Sequence, residues 1–270
     1  MTECFFPILL QKDCFEVLAG LSDGSVDLIL TDPPYYSTSL HFDKQPRLDF
    51  QAWLKECKRV LKPNGVLLSF CDLNLLVELR SHKVFKSCYE LIWSKNRGPN
   101  FMDVNFRPFR THEYILVFTN QFKKSTYNPQ RVAVSESSLA RHKVGKVVIK
   151  RNNTSQVSLY QGIRKTPTAK YLNDGKRHPF SVLSYSVPQG KNNTAHPTQK
   201  PLDLCEWLVK TYSNEGDLVL DTFVGSGTTL EACLNLNRNS IGGETYESYI
   251  EITKNRIEQA KARYLELKNQ

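Results

Sequence analysis

Residues 218–232, LVLDTFVGSGTTLEA, constrain the fold more than any other stretch of this chain. Leu218, Val219 and Leu220 read as a short buried strand that ends in Asp221. Gly225 and Gly227 then permit a tight turn, and TTLEACLNLN carries a helix. A strand that passes through a glycine turn into a helix is half of a βαβ unit, which builds a parallel sheet. The turn also sets free N–H groups and the positive end of a helix beside the strand terminus. Glu244 closes the next strand, NSIGGE (239–244), near the spacing of an acid that binds ribose hydroxyls. The pattern G-S-G-T-T is not G-x-G-x-x-G, and no G-K-[ST] follows, which argues against a P-loop. A plain strand-to-helix turn has the same outline; Asp221 and Glu244 on either side favour a site for a nucleoside-bearing cofactor.

The flanks repeat this alternation. A helix is expected over 14–21, a strand over 26–31 and a helix over 50–61 with Phe50, Trp53, Leu54, Cys57, Val60 and Leu61 on one face. KPNG breaks that helix before a strand at 66–70, and a short helix follows over 73–82. Strands at 87–95 and 113–119 bracket an Arg-, Asn- and Phe-rich loop. After the centre of the chain a helix starts near Pro201, and a last one covers 246–267. Trp53, Trp93 and Trp207 read as core. Together these predict one doubly wound, mostly parallel α/β sheet interrupted by an insert.

That insert has a different composition. Residues 121–195 hold 14 Lys/Arg against 2 acids, whereas the rest of the chain holds 22 basic and 25 acidic residues. All of the net charge of +9 therefore comes from the middle. Such a segment is the footprint of a polyanion, most simply nucleic acid. The division expected is 1–120, a basic lobe at 121–195, and 196–270. Apolar runs are too short to span a bilayer. MTECFFPILLQKD lacks a basic leader and a small-residue cleavage site and reads as structure. The seven cysteines contain no C-x-x-C pair, so neither zinc nor a disulfide framework is expected, and a reducing cytoplasm fits.

The other singular stretch is TDPPYYSTS, 31–39. Pro33 and Pro34 fix φ and donate no N–H, and a residue before proline is held extended. Asp32 is thus presented by a rigid, donor-poor turn at a strand end. If the Asp32 and Asp221 strands are neighbours where strand order reverses, both ends line one crevice.

DPPY at 32–35, HPTQKP at 196–201, and DTFVGSGTT at 221–229 followed by GGE resemble the beta class of DNA amino-methyltransferases, in that class's order. The likeness covers roughly 8–120 and 196–262. It implies a permuted, Rossmann-like methyltransferase sheet with an inserted target-recognition lobe, and methyl transfer from S-adenosyl-L-methionine to an exocyclic amine, most often adenine N6. By resemblance, Asp32 and the Pro33 carbonyl accept hydrogen bonds from the amine's two N–H groups, Pro34 stiffens the turn, and Tyr35 stacks on the flipped base. Gly225, Ser226, Gly227 and Thr228, with Asp221 and Phe223, line the methionine part of the cofactor, and Glu244 holds its ribose. Asp13 lies near its adenine, and Thr198, Gln199 and Lys200 near its carboxylate. Thr222 departs from the family's usual Pro, and Lys12 from its usual Gly. Double-stranded DNA is the implied partner, with Arg107, Arg110, Lys143, Lys146 and Arg151 as candidate contacts. A homodimer and a cognate restriction endonuclease also fit the family. Cytosine-N4 methylation, RNA or protein methylation, and a catalytically inactive DNA-binding relative are the competing readings.

Overall fold

The computed structural model describes residues 7–37, 40–98, 101–133, 147–150, 169–172, 174–188 and 198–268. Met1–Asn128 with Phe180–Gln270 forms one compact unit and Pro129–Pro179 a second.

In the first unit the strands are β1 (Ile8–Leu10), β2 (Val26–Thr31), β3 (Leu61–Cys71), β4 (Ser87–Ser94), β5 (His112–Thr119), β10 (Val182–Ser184), β11 (Leu218–Asp221) and β12 (Asn239–Gly243). They form one sheet in the order β1-β12-β11-β2-β3-β5-β4-β10. All neighbours are parallel except β5, which runs antiparallel to both β3 and β4. The helices are α1 (Cys14–Ala19), α2 (Phe50–Val60), α3 (Leu73–Ser81), α4 (Leu202–Tyr212), α5 (Thr228–Asn235) and α6 (Glu247–Lys268).

Every residue of β2 is buried because both faces of the sheet are covered. Ile29 packs with α1, α2 and α3 through Val17, Trp53, Leu54 and Leu75. Leu28 and Leu30 point the other way, into a cluster with Leu204, Leu208 and Val209 of α4 and Ala232 and Cys233 of α5. Among the described residues no cysteine is disulfide-bonded, no acidic, His or Cys group could hold a metal, and no helix is long and apolar enough to cross a membrane.

Two expectations change. β3 begins at Leu61, so KPNG lies inside a strand rather than in a break before one. Leu61 pairs with Val26, and a register shift between Val26 and Leu28 absorbs the extra residues before Val66 meets Leu28. The 180–187 segment, placed by composition with the basic insert, contributes β10 to the edge of the main sheet. Val182 pairs with Ile92, and Leu183 is buried in the second cluster.

The second unit contains two antiparallel pairs, β6 (Val132–Ala133) with β9 (Lys176–Arg177) and β7 (Val147–Lys150) with β8 (Ala169–Leu172). Arg131 clasps Asp174 with both terminal nitrogens, at 2.6 and 2.8 Å. Lys143, Lys146 and Arg151 lie outside the described residues.

Candidate functional site

Strand order reverses between β11 and β2, which come from opposite ends of the chain yet pair in parallel, Val219 with Leu28 and Leu220 with Ile29. α2 leads from β2 to β3 on one side, and α5 leads from β11 to β12 on the other. A crevice beyond the strand C-termini opens at such a point. Its cavity measures about 1130 Å³, and both singular stretches of the sequence line it.

The two strand ends are joined by hydrogen bonds. Thr31 Oγ1 donates to Asp221 Oδ1 at 2.8 Å, and the Phe223 N–H reaches the same oxygen at 3.1 Å. Thr222 Oγ1 lies 3.1 Å from Thr31 Oγ1 and accepts from Trp53 Nε1 at 3.4 Å. A chain from Trp53 through Thr222 and Thr31 can therefore point all its hydrogens at the Asp221 carboxylate. A proline at 222 has no hydroxyl to serve in that chain, which gives this departure from the family pattern a structural role. Burial still pushes the Asp221 carboxyl up from 3.8 to about 6, against the hydrogen bonds that lower it.

At the β2 terminus, Asp32 is already engaged. Tyr35 Oη donates to Oδ1 at 2.7 Å and Lys200 Nζ to Oδ2 at 2.5 Å. Lys200, expected beside the cofactor carboxylate, is thus ion-paired to the central acid. It is buried, lies 5.0 Å from the Phe70 ring centroid and 5.6 Å from that of Tyr35, and has Glu113 Oε2 at 3.6 Å. Glu113 also pairs with Lys95. Two acids and two ammonium groups therefore share one patch, with Lys200 buried and the other three half-buried. Burial raises the Asp32 carboxyl, and Lys200 pulls it back. For Lys200 burial works the other way, but Asp32 and Glu113 hold the ammonium above its ordinary value. Burial opposes ionisation of Glu113 too, yet Lys200 and Lys95 bring it below the usual range. Burial and the Asp32 charge push the Tyr35 hydroxyl well above 10.0, so it stays a donor. Because Lys200 lies within 4 Å of two carboxylates, it can leave Asp32 for Glu113 without losing its counter-charge. Glu113 and Lys95 sit on β5 and just past β4, and no motif marked them; only the pairing of β4 with β5 brings them to the crevice.

Tyr36 sits in the left-handed region at φ 56, rare for a bulky residue. Its N–H donates to Asp43 Oδ1 at 3.0 Å, its oxygen accepts from the Leu48 N–H at 2.8 Å, and its ring meets Phe50 edge-on. These bonds brace the turn, and Tyr36 lines the cavity beside Tyr35.

The glycine turn is held from below by α6. Gly227 has φ 80, and a Cβ there would come within 2.7 Å of Thr253 Cγ2. Thr253 Oγ1 donates to the Gly225 carbonyl at 3.0 Å. Arg256 Nη1 donates to the Ser226 carbonyl at 2.9 Å and to Thr228 Oγ1 at 2.6 Å, while its Nε pairs with Glu231 at 3.2 Å. Gly227→Ala is expected to cost roughly 1–2 kcal/mol from the backbone alone and to weaken cofactor binding. Adding Thr253→Ser, which removes Cγ2, should restore part of both losses in thermal unfolding and calorimetry. Recovery of neither would show that the turn is not set by this contact.

Glu244 accepts the Gly225 N–H at 2.9 Å through Oε2, and the Thr245 and Tyr246 N–H groups at 2.8 and 2.9 Å through Oε1. It therefore ties the turn to the end of β12 as well as facing the crevice. Asp13 caps α1, accepting from the Phe15 and Glu16 N–H groups through Oδ1 while the Asp13 N–H donates to Glu16 Oε2. Phe223 packs on Trp53 with centroids 6.0 Å apart. Thr198, Gln199, Ser226 and Thr228 line the same cavity, as do Asp13, Asp32, Pro33, Pro34, Asp221, Phe223, Gly225 and Glu244. Gln199 Oε1 is buried and has no hydrogen-bond partner among the described residues, which leaves an acceptor for a bound molecule. Arg110 reaches the cavity rim, and Arg107 pairs with Asp103 outside it.

A family model described as DNA methylase matches residues 26–255. The chain belongs to the DNA methylase family. The Type II methyltransferase M.HpaI of Haemophilus parainfluenzae is 33% identical over 265 residues, covering 93% of this methylase and 74% of that protein. The Type II methyltransferase M.HinfI of Haemophilus influenzae is 28% identical over 291 residues, covering 95% and 70%. Among solved structures, the M1.HpyAVI–SAM complex shares 24% identity at a TM-score of 0.58, covering 93% of this methylase and 99% of that chain. The cytosine-N4-specific PvuII DNA methyltransferase shares 16% at 0.63, covering 98% and 93%. These two likenesses establish the fold. The methylase cofactor is S-adenosyl-L-methionine, and a crevice with a glycine turn, an unsatisfied Gln199 oxygen and carboxylates at both strand ends fits it.

Proposed function

We propose that this methylase is a site-specific DNA methyltransferase that modifies N6 of a flipped adenine. The observation that carries the reading is the seam between β2 and β11, where the Asp32-Pro33-Pro34-Tyr35 turn and the Gly225–Thr228 turn meet in one crevice.

An adenine amine is a poor nucleophile because its lone pair is delocalised into the ring. The Asp32 carboxylate and the Pro33 carbonyl accept hydrogen bonds from its two N–H groups, which lets the nitrogen turn its lone pair out of the ring plane. This is orientation with electrostatic stabilisation and needs no covalent intermediate. S-adenosyl-L-methionine would supply the electrophilic methyl group: the N–C bond forms as the S–CH3 bond breaks, the electron pair stays on the departing thioether sulfur, and the methylated nitrogen loses one proton to solvent. Asp221, the Gly225–Thr228 turn and Gln199 would hold it, and Glu244 would face its ribose. For the amine to reach Oδ2 of Asp32, Lys200 shifts towards Glu113. A base inside a duplex is out of reach, so it leaves the stack and Tyr35 offers a face for it. Asp rather than Ser before Pro-Pro favours adenine, by family resemblance.

Nucleoside mass spectrometry of DNA incubated with enzyme and cofactor tests this. N6-methyladenine is expected; 4-methylcytosine without it would overturn the adenine assignment. Methyl label that appears in RNA or protein instead of DNA would overturn the substrate.

A further inference from the structure

The loop between β4 and β5 carries an apolar pair that the fold leaves in water. The Lys95 N–H bonds the Thr111 carbonyl at 2.7 Å and closes the loop at its base. Gly98 packs on Phe109 so closely that a Cβ would lie 2.8 Å from the Phe109 ring, which anchors the loop higher up. Further out, the Phe106 and Arg107 N–H groups both bond the Asp103 carbonyl, at 2.8 and 3.0 Å, and Arg107 pairs with the Asp103 carboxylate. The tip is therefore one self-braced turn that continues the 3-10 helix Phe101–Asp103, with Met102 in that helix and Phe106 just beyond it. They are 87% and 89% exposed. Single exposed apolar residues are ordinary; two large ones at nearly full exposure within one self-braced turn are not.

We infer that Met102 and Phe106 form a wedge that enters the DNA duplex and fills the space left when the target base moves to the crevice. This rests on the DNA methyltransferase reading above. Three features select DNA as the occupant. Arg97 and Arg110, at the two roots of the loop, line the cavity that holds Asp32 and Tyr35. Arg107 follows Phe106 directly and, although paired with Asp103, keeps its guanidinium largely exposed, so a cation borders the apolar tip, as a duplex with charged edges and an apolar stack requires. Removing a base opens a gap with apolar walls, and apolar side chains inserted between base steps are an established way to hold a duplex unstacked. A membrane surface or a second copy would not need the tip to be rooted at the base pocket.

The methylated site is first mapped by sequencing DNA from an expressing host. 2-Aminopurine is then placed at that base in a duplex, and its fluorescence is read on binding with Phe106→Ala and Met102→Ala. The variants should keep the wild-type melting temperature and cofactor affinity, since neither side chain packs in the fold. The fluorescence rise and kcat/KM on duplex DNA should each fall by about tenfold, and by more in the double variant. Phe106→Leu, which keeps an apolar wedge, should recover most of the loss. Variants that extrude the base and methylate like wild type overturn the wedge. So does a change of oligomeric state in Phe106→Ala with extrusion intact, which assigns the pair to contacts between copies. A wild type that methylates no DNA at all instead overturns the functional reading on which the wedge rests.

Discussion

Replacing Asp32 with alanine is expected to lower methyl transfer by about 10²–10³-fold, the scale on which a single preorganised polar contact acts, while cofactor binding is kept. The carboxylate is the one charged acceptor that the Asp-Pro-Pro-Tyr turn presents, and its partners in the free protein, Tyr35 and Lys200, are both donors. Breaking a buried ion pair usually strands the other charge and costs stability. Here Lys200 has Glu113 at 3.6 Å, so it keeps a counter-ion and the fold should survive. Asp32→Asn retains the shape but not the charge, and should be nearly as inactive. Tritium transfer from labelled cofactor gives the rate, and titration calorimetry gives the affinity. Turnover near wild type in Asp32→Ala would remove Asp32 from the chemistry.

Asp221→Asn is expected to make the protein more stable and less able to bind its cofactor. Burial raises the Asp221 carboxyl from 3.8 to about 6, so the folded state holds a proton that the unfolded chain has released between those values. Stability therefore declines as pH rises from about 4 to about 6 and is flat above. Keeping the charge in the crevice at neutral pH costs about 3 kcal/mol. Asparagine retains an oxygen for the Thr31 hydroxyl and the Phe223 N–H and carries no charge to bury. Urea unfolding should show a gain of about 1–3 kcal/mol at pH 7.5, and this contribution to the slope between pH 4 and 6 should vanish. Cofactor affinity, measured alongside, should fall by about tenfold or more, since a destabilised polar group kept at a binding site is the usual exchange of stability for function. A variant no more stable than wild type at pH 7.5 would show that the Asp221 charge is fully compensated by its hydrogen bonds.

Much of this architecture was legible because its signals are local. A run of buried apolar residues that stops at Asp32 or Asp221, followed by a turn residue with restricted or unusually free φ, reports a strand end from a few neighbours alone. The helix read over 50–61 was equally plain: Phe50, Trp53, Leu54, Cys57 and Val60 are buried on one face, and only Leu61 passes to β3. KPNG misled because proline and glycine mark turns in general, whereas here a register shift against β2 lets them sit within β3. The 180–187 segment was misplaced because composition groups it with the basic stretch, whereas its pairing with β4, far along the chain, leaves no local signal.

The sequence by itself determined the two strand-end motifs, the alternation of strands and helices, and the concentration of positive charge between them. The tertiary structure decided which partners meet those motifs. Lys200 reaches Asp32 across 168 positions, and Thr31 reaches Asp221 across 190. Glu113 and Lys95 complete the charge patch from strands that look like plain core, and Thr253 and Arg256 hold the glycine turn from a helix that carries no motif. The reason is physical. Backbone preference is set within a few residues, but the burial of a charge is tolerable only if a counter-charge arrives with it, and where that counter-charge comes from is fixed by strand order, not by neighbouring sequence.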